Sequence, residues 1–368
     1  MDTRPRVAVI GGGIFGACAA LELEKSFSVT LLERNEDFLM AATYANHNRH
    51  HYGYHYPRSP ETLLQCLEGR VEFERRYGEC LDWDFDNYYC VAKSGSKTSA
   101  RDYLAFCRRF SLEAEECDPD PALIDPSKIA LCLKVREGVY DIGRLRALVK
   151  AEVQAAKAID VRLNHEVVGA SFGPSGAKVL QVAAGGKTSA LEFELVVNAT
   201  YAYTNRFCSW LGFAPRSCQF NLQEIDVVEL PLARRIGVTV QDGNFPSIIP
   251  LAHTRRYLMA HVIESQLVRK VSVGDVPLLN RTPYIESNWA GVLEACVEYL
   301  PILRQVQYVK SIFVDRVVDS NRLQDDSRVS ELTDHGRGCW SVFSAKVITC
   351  VTTAVKLHER MKEAIGVS

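Results

Sequence analysis

Val7-Ala8-Val9-Ile10-Gly11-Gly12-Gly13-Ile14-Phe15-Gly16, read with Val29-Thr30-Leu31-Leu32-Glu33-Arg34, decides the fold. The pattern is an apolar strand, a glycine turn, a helix and a second strand that ends in an acid. Gly11, Gly13 and Gly16 hold the Gly-x-Gly-x-x-Gly spacing. The first glycine permits a tight turn, the second lets a pyrophosphate approach the backbone, and the third lets the helix lie close on the sheet. The helix start offers N–H groups to phosphate charge. Glu33 stands where a carboxylate accepts from ribose hydroxyls. The unit predicts a bound adenine dinucleotide; the competing reading is a glycine-rich turn without a ligand.

Outward from this unit, the chain has 368 residues, enough for about two domains. It is 47% hydrophobic and 24% charged, which suits a globular protein with a sizeable core. The net charge of −2 gives no reason to expect nucleic acid or an anionic membrane as partner. No apolar run is long enough to span a bilayer, and no signal-peptide pattern precedes the first strand, so a cytoplasmic protein is expected. None of the twelve cysteines forms Cys-x-x-Cys, so neither a disulfide nor a metal site is assigned.

Further along, residues 35–60 are irregular and rich in His, Tyr, Asn and Arg. Helices are expected over 61–78, 99–117 and 142–157, with a short strand at Tyr88–Ala92 and a loop at 118–128. Strands are expected at Val161–Leu163, Glu166–Phe172, Val179–Ala183 and Ala190–Asn198. Leu195–Thr200 reads as a central parallel strand whose end opens on a ligand. Residues 219–263 read as a separate antiparallel sheet. A helix over 288–308 follows, then a strand at Cys339–Phe343, a turn and a long helix to about Ala364.

These pieces together resemble the D-amino acid oxidase/glycerol-3-phosphate dehydrogenase superfamily of FAD enzymes. Ala42-Thr43-Tyr44-Ala45-Asn46 with His51-Tyr52-Gly53-Tyr54-His55-Tyr56 resembles the flavin-packing segment of its L-2-hydroxyglutarate oxidase-like branch. Ser344-Ala345-Lys346-Val347-Ile348-Thr349 resembles the Gly-Gly-Lys-x-Thr-Thr turn of glycerol-3-phosphate dehydrogenases. Three departures stand out: Tyr201 replaces the Gly that usually follows Asn-Ala-Thr, Ser344-Ala345 replaces the Gly pair, and the 46–58 loop is more basic and aromatic than usual.

The resemblance implies an α/β (α+β overall) chain: a Rossmann-like FAD-binding domain built from 1–45, 139–215 and 320–368, and an antiparallel-sheet substrate domain from 46–138 and 216–319. It implies that FAD is held by Gly11, Gly13, Ile14, Phe15, Gly16, Glu33, Arg34, Thr43, Asn46, His51, Val167, Ala199, Thr200, Ser344, Ala345, Lys346, Val347 and Ile348. A helix starting near Val347 would aim its positive end at the flavin, with Lys346 adding charge. His51, Tyr54, His261 and Lys346 are the catalytic candidates. Arg49, His55, Tyr56, Arg58, Tyr257 and Arg322 are the substrate candidates, the arginines because a guanidinium forks onto carboxylate or phosphate. Arg255, Arg256 and Arg316 are further arginines of that kind. Four of the nine histidines fall in one loop, but their spacing is no regular metal-ligand pattern.

The expected reaction moves hydride from a C–H bearing an amine or hydroxyl of a small polar, anionic molecule to the flavin. Oxygen or another acceptor then reoxidises the flavin. The alternatives are a flavin monooxygenase and a non-catalytic dinucleotide-binding protein.

Overall fold

The computed structural model describes residues 4–279 and 284–366. A six-stranded sheet runs in the order Glu331–Asp334, Cys339–Phe343, Leu195–Asn198, Arg6–Ile10, Ser28–Leu32, Ile159–Arg162. All neighbours are parallel except the first pair. Along Arg6–Ile10, Val7 and Val9 face one layer while Ala8 and Ile10 face the other. Both faces are covered, which explains the unbroken apolar run. Helices Ile14–Leu23, Ile142–Ala155 and Cys350–Ile365 cover the first face through Ala17, Leu21, Leu145, Val149, Val351 and Leu357. The glycine-turn helix is buried along its whole length. The other face is covered by helix Thr204–Leu211 and a three-stranded antiparallel sheet of Glu166–Phe172, Lys178–Ala184 and Lys187–Phe193.

A nine-stranded sheet gathers the rest, apart from Leu81–Asp82 and Val139–Tyr140, which pair with each other. Strands from 218–272 join Asp86–Ala92, Ala114–Glu116 and Ile129–Val135, so residues 219–263 do not form a sheet of their own. Pairing is antiparallel except where Ile236–Gln241 runs parallel to Asp86–Ala92. The expected helix over 288–308 is shorter: Trp289–Val297 is helical, Pro301–Gln305 is a tight turn, and Gln307–Asp319 is a strand paired along Cys218–Glu229. Pro301 cannot continue a helix interior, and the β-branched Val309, Ile312, Val314 and Val317 favour the strand. The expected helix over 99–117 likewise ends at Arg109; after Ser111 at φ 52°, Ala114–Glu116 forms an edge strand.

Candidate active site

A cavity of about 760 Å³ runs from the carboxyl ends of the parallel strands to the face of the nine-stranded sheet. Its first part is built by the glycine turn. Gly11 has φ 105°, and a Cβ there would meet the Ala199 carbonyl oxygen at 2.8 Å. A Cβ on Gly16 would lie 1.8 Å from the Gly11 oxygen, so strand and helix can touch only without one. Gly13 differs. It has ordinary extended backbone, and its Cβ would meet nothing nearer than Thr43 Oγ1 at 3.6 Å. The protein does not need glycine at 13; a ligand lying across the helix start does. Thr43 Oγ1 accepts from the Ile14 N–H at 3.3 Å.

Glu33 is buried beside this turn. Its Oε2 accepts from the Gly12 N–H at 2.5 Å, and its Oε1 accepts from the Asn35 N–H and amide at 2.8 and 2.6 Å. A carboxylate has about four acceptor positions, so one remains for a ribose hydroxyl. Arg34 stacks 4.3 Å above the Tyr203 ring, and Arg206 lies 4.9 Å from the same ring. Val167, Ala199 and Thr200 also line the cavity. Tyr201, where the resemblance leads one to expect Gly, adopts φ 53°. A non-glycine residue there costs roughly 1–3 kcal/mol. Its ring packs beside Phe220 and Phe343, and its hydroxyl meets the Val317 backbone.

The loop after Thr43 folds inward. Asn46 Nδ2 donates to the Ala42 and Thr43 carbonyls, and its Oδ1 accepts from the Asn48 N–H and the Tyr140 hydroxyl. It shapes the cavity wall by these bonds. His47, Arg49, His51, His55 and Tyr56 follow on the cavity surface, opposite Ser344, Ala345, Lys346 and Val347. Lys346 Nζ lies 4.6 Å from the Tyr56 ring centre. Burial, then Arg49, lowers the Lys346 pKa to about 7. Burial, then Lys346, lowers His51 to about 4. His55 opens onto the cavity, yet enclosure, then Arg49 and Lys346, hold it well below its usual value. The helix after the turn begins at Cys350, one short turn later than expected, because Val347–Thr349 winds more tightly.

Several predicted residues stand elsewhere. Tyr54 is fully buried between Leu63, Tyr89 and Tyr103 and donates to the Glu113 carbonyl at 2.6 Å, so its hydroxyl does not reach the cavity. Tyr257 is sealed in the core of the nine-stranded sheet. Ile348 is packed in the helical layer, outside the cavity lining. Arg58 is held by Asp242 at 2.8 Å and by Asp326 and the Gln324 carbonyl, so its fork is already filled. Arg322 reaches the cavity rim but pairs with Glu61 and Glu331. His261 lines the rim, but Nε2 faces the Asn244 carbonyl at 3.0 Å and Nδ1 accepts from the Ile263 and Glu264 N–H groups. Both ring nitrogens are occupied in holding a turn.

Two arginines take the place of these. Arg316 and Arg328 also line the cavity; Arg316 lies within reach of the charges of Arg328 and Arg49, and Lys346 within reach of that of Arg49. Arg316 makes no hydrogen bond or ion pair among the described residues, and burial, with Arg328 and Arg49 adding repulsion, lowers its pKa. The sequence names Arg316 among its candidate arginines without ranking it above Arg58 or Arg322, and it gives no motif around Arg328. Arg58→Ala is therefore expected to lower the unfolding temperature, by about 1–3 kcal/mol of lost charge-assisted bonding, with unchanged substrate affinity. Differential scanning fluorimetry beside flavin-bleaching titrations checks this.

The residues fit FAD. Gly13 leaves a cradle at a helix start, Glu33 keeps an acceptor, and His47, a lining residue, holds a buried Nε2 without a hydrogen-bond partner. The comparisons agree. The chain is 27% identical over 280 residues to the FAD-dependent monooxygenase kojA of Aspergillus flavus, covering 70% of this chain and 62% of that one. It is 28% identical over 203 residues to one subunit of the anaerobic glycerol-3-phosphate dehydrogenase of Escherichia coli, covering 52% and 36%. The chain thus spans less than two thirds of the length of these curated relatives. Glycine oxidase from Geobacillus kaustophilus shares the fold at TM-score 0.73 with 17% identity, over 98% of this chain and 95% of that one. Residues 6–343 match the FAD dependent oxidoreductase (DAO) family, and the chain belongs to it.

Proposed function

We propose that this FAD-dependent oxidoreductase takes hydride from a carbon bearing an amine or hydroxyl on a small anionic substrate. The observation that carries the reading is that Arg49, Arg316, Arg328 and Lys346 all line the cavity, with Arg316 close enough to Arg328 and Arg49, and Lys346 close enough to Arg49, to be repelled by them. Three guanidinium groups repel one another in this wall and drive Lys346 toward its neutral form, and an anionic ligand relieves that repulsion. Bound FAD supplies the hydride acceptor at its N5.

The chain's own residues do the rest. Arg316, with its fork unfilled, binds the carboxylate or phosphate, and Arg328 and Arg49 orient it. Tyr56, carrying Lys346 on its face, closes one wall. His51 is uncharged at neutral pH and accepts a hydrogen bond from the substrate amine or hydroxyl. The relatives named monooxygenases favour a second reading, in which an external reductant loads the flavin. Anaerobic mixing with a panel of hydroxy acids, amino acids and phosphorylated alcohols decides. Bleaching by the substrate alone supports the proposal. Bleaching only by a reduced nicotinamide supports the second reading.

Lys346 adds a pH signature. The protein holds its pKa near 7, whereas an adjacent anion restores the charged form. Binding then takes up a proton, so anion affinity weakens as pH rises above 7, by up to about tenfold per pH unit. Lys346→Met is expected to flatten this dependence. Wild-type binding that stays constant from about pH 7 to 9 would remove Lys346 from the anion site.

A further inference from the structure

Glu137 went unnoticed in the sequence, yet it is the acid set behind the cationic wall. It lies in the short connection between strands Ile129–Val135 and Val139–Tyr140 and is 3% exposed. Oε1 accepts from the Tyr52 N–H at 2.9 Å and lies 3.3 Å from His51 Nδ1, off the alignment of a full hydrogen bond. Oε2 accepts from the Tyr89 hydroxyl and lies 4.0 Å from Arg49 Nη1. Arg49 Nη1 in turn donates to the Tyr89 hydroxyl at 2.9 Å and to Thr239 Oγ1 at 2.6 Å. The main chain of Glu137 is fixed as well, its carbonyl accepting from Asn87 Nδ2 at 3.0 Å.

We infer that Glu137 is a positioning residue that keeps the proton of His51 on Nδ1, leaves Nε2 free toward the cavity, and locks Arg49 in place through Tyr89. This deepens the proposed function and rests on it for the role of His51. Two observations support it, together with the chemistry of the imidazole. The His51 ring lines the cavity while its Nδ1 is turned to the carboxylate and shielded from solvent. A neutral imidazole carries one proton, and a carboxylate beside Nδ1 draws it there. Glu137 is also ionised: burial opposes the charge, but His51, Arg49 and Tyr89 outweigh it and hold the carboxyl below its usual range. Removing it would leave Arg49 and Tyr89 without their common partner and let the ring of His51 turn.

The test begins without turnover. Long-range proton–nitrogen NMR on FAD-loaded protein labelled at histidine nitrogen, with His51 assigned by loss of its signals in His51→Gln, is expected to show the Nδ1–H tautomer. Glu137→Gln is expected to shift His51 toward Nε2–H, because the amide can donate where the carboxylate only accepts. An Nε2–H tautomer in the wild type, or no change in Glu137→Gln, overturns the inference whatever the substrate proves to be. In single-turnover flavin reduction, Glu137→Gln is expected to slow the step about 100-fold at unchanged flavin content, with little further loss when His51→Gln is added. Losses that multiply in the double variant also overturn it. Glu137→Asp, which keeps the charge, is expected to recover the Nδ1–H tautomer and part of the rate. If Glu137→Gln does not fold, Glu137→Asp and Tyr89→Phe carry the test: Tyr89→Phe should weaken anion binding through Arg49 and leave the His51 tautomer unchanged. A panel that bleaches no flavin while His51 shows Nδ1–H refutes the proposed function and leaves the tautomer assignment standing.

Discussion

Gly13→Val is expected to give a folded, colourless protein, whereas Gly16→Ala is expected not to fold. Both changes fall within the same glycine motif, and the distances separate them. A Cβ at 16 would sit 1.8 Å from the Gly11 oxygen, far inside contact, in a helix buried along its whole length. No side chain can yield there, because the obstacle is backbone. The strand and helix would have to part, and a core that loses that contact loses several kcal/mol of packing, roughly the stability of a domain. At 13 the nearest atom is a threonine hydroxyl at 3.6 Å, and the backbone is ordinary. Valine there costs the protein little and fills the space in front of the helix start. The measurement is the absorbance ratio of flavin to protein after purification, beside circular dichroism. A yellow Gly13→Val protein with full flavin content would mean that the pyrophosphate lies elsewhere.

That contrast shows what a sequence carries and what it does not. The glycine unit is legible because turn, close approach and acid lie within thirty-odd residues, and each demands a particular residue type. The central strand Leu195–Asn198 is legible because burial on both faces writes an apolar run. The loop of 46–58 is different. Its composition announced polar work, but irregular backbone has no period to say which side chain points inward. Tyr54 and Tyr56 are two residues apart; one is tied to Glu113 in the core and the other lines the cavity with Lys346 on its ring. Arg49 and Arg58 differ through residues far away, Tyr89 and Thr239 for one, Asp242 and Asp326 for the other. Arg316 is one candidate arginine among several in the sequence, and only the pairing of its strand Gln307–Asp319 with Cys218–Glu229 sets it apart by bringing it to the cavity, while Arg328 lies in irregular backbone that has no period to read. Glu137 carries no motif at all; its meaning comes only from His51, Arg49 and Tyr89 meeting it in space.

Arg316→Met is expected to trade binding for stability. Its guanidinium is enclosed, without a hydrogen bond or ion pair among the described residues, and stands among Arg49, Arg328 and Lys346. An unpaired enclosed charge destabilises the protein that holds it. Methionine keeps much of the length and apolar stem and removes that cost, so the substrate-free, FAD-loaded variant should melt at or above the wild-type temperature. The same charge is what an anionic substrate binds. A charge-assisted hydrogen bond lost at the site is worth roughly 1.5–3 kcal/mol, so the substrate concentration for half-maximal flavin bleaching should rise about 10- to 100-fold. This is the reverse of the outcome expected for Arg58→Ala, whose arginine already has its acids. The two variants measured side by side, for melting temperature and for bleaching, make a crossed pair. If Arg316→Met melts lower and binds normally, its guanidinium is a structural prop, and the anion site must rest on Arg49, Arg328 and Lys346 alone.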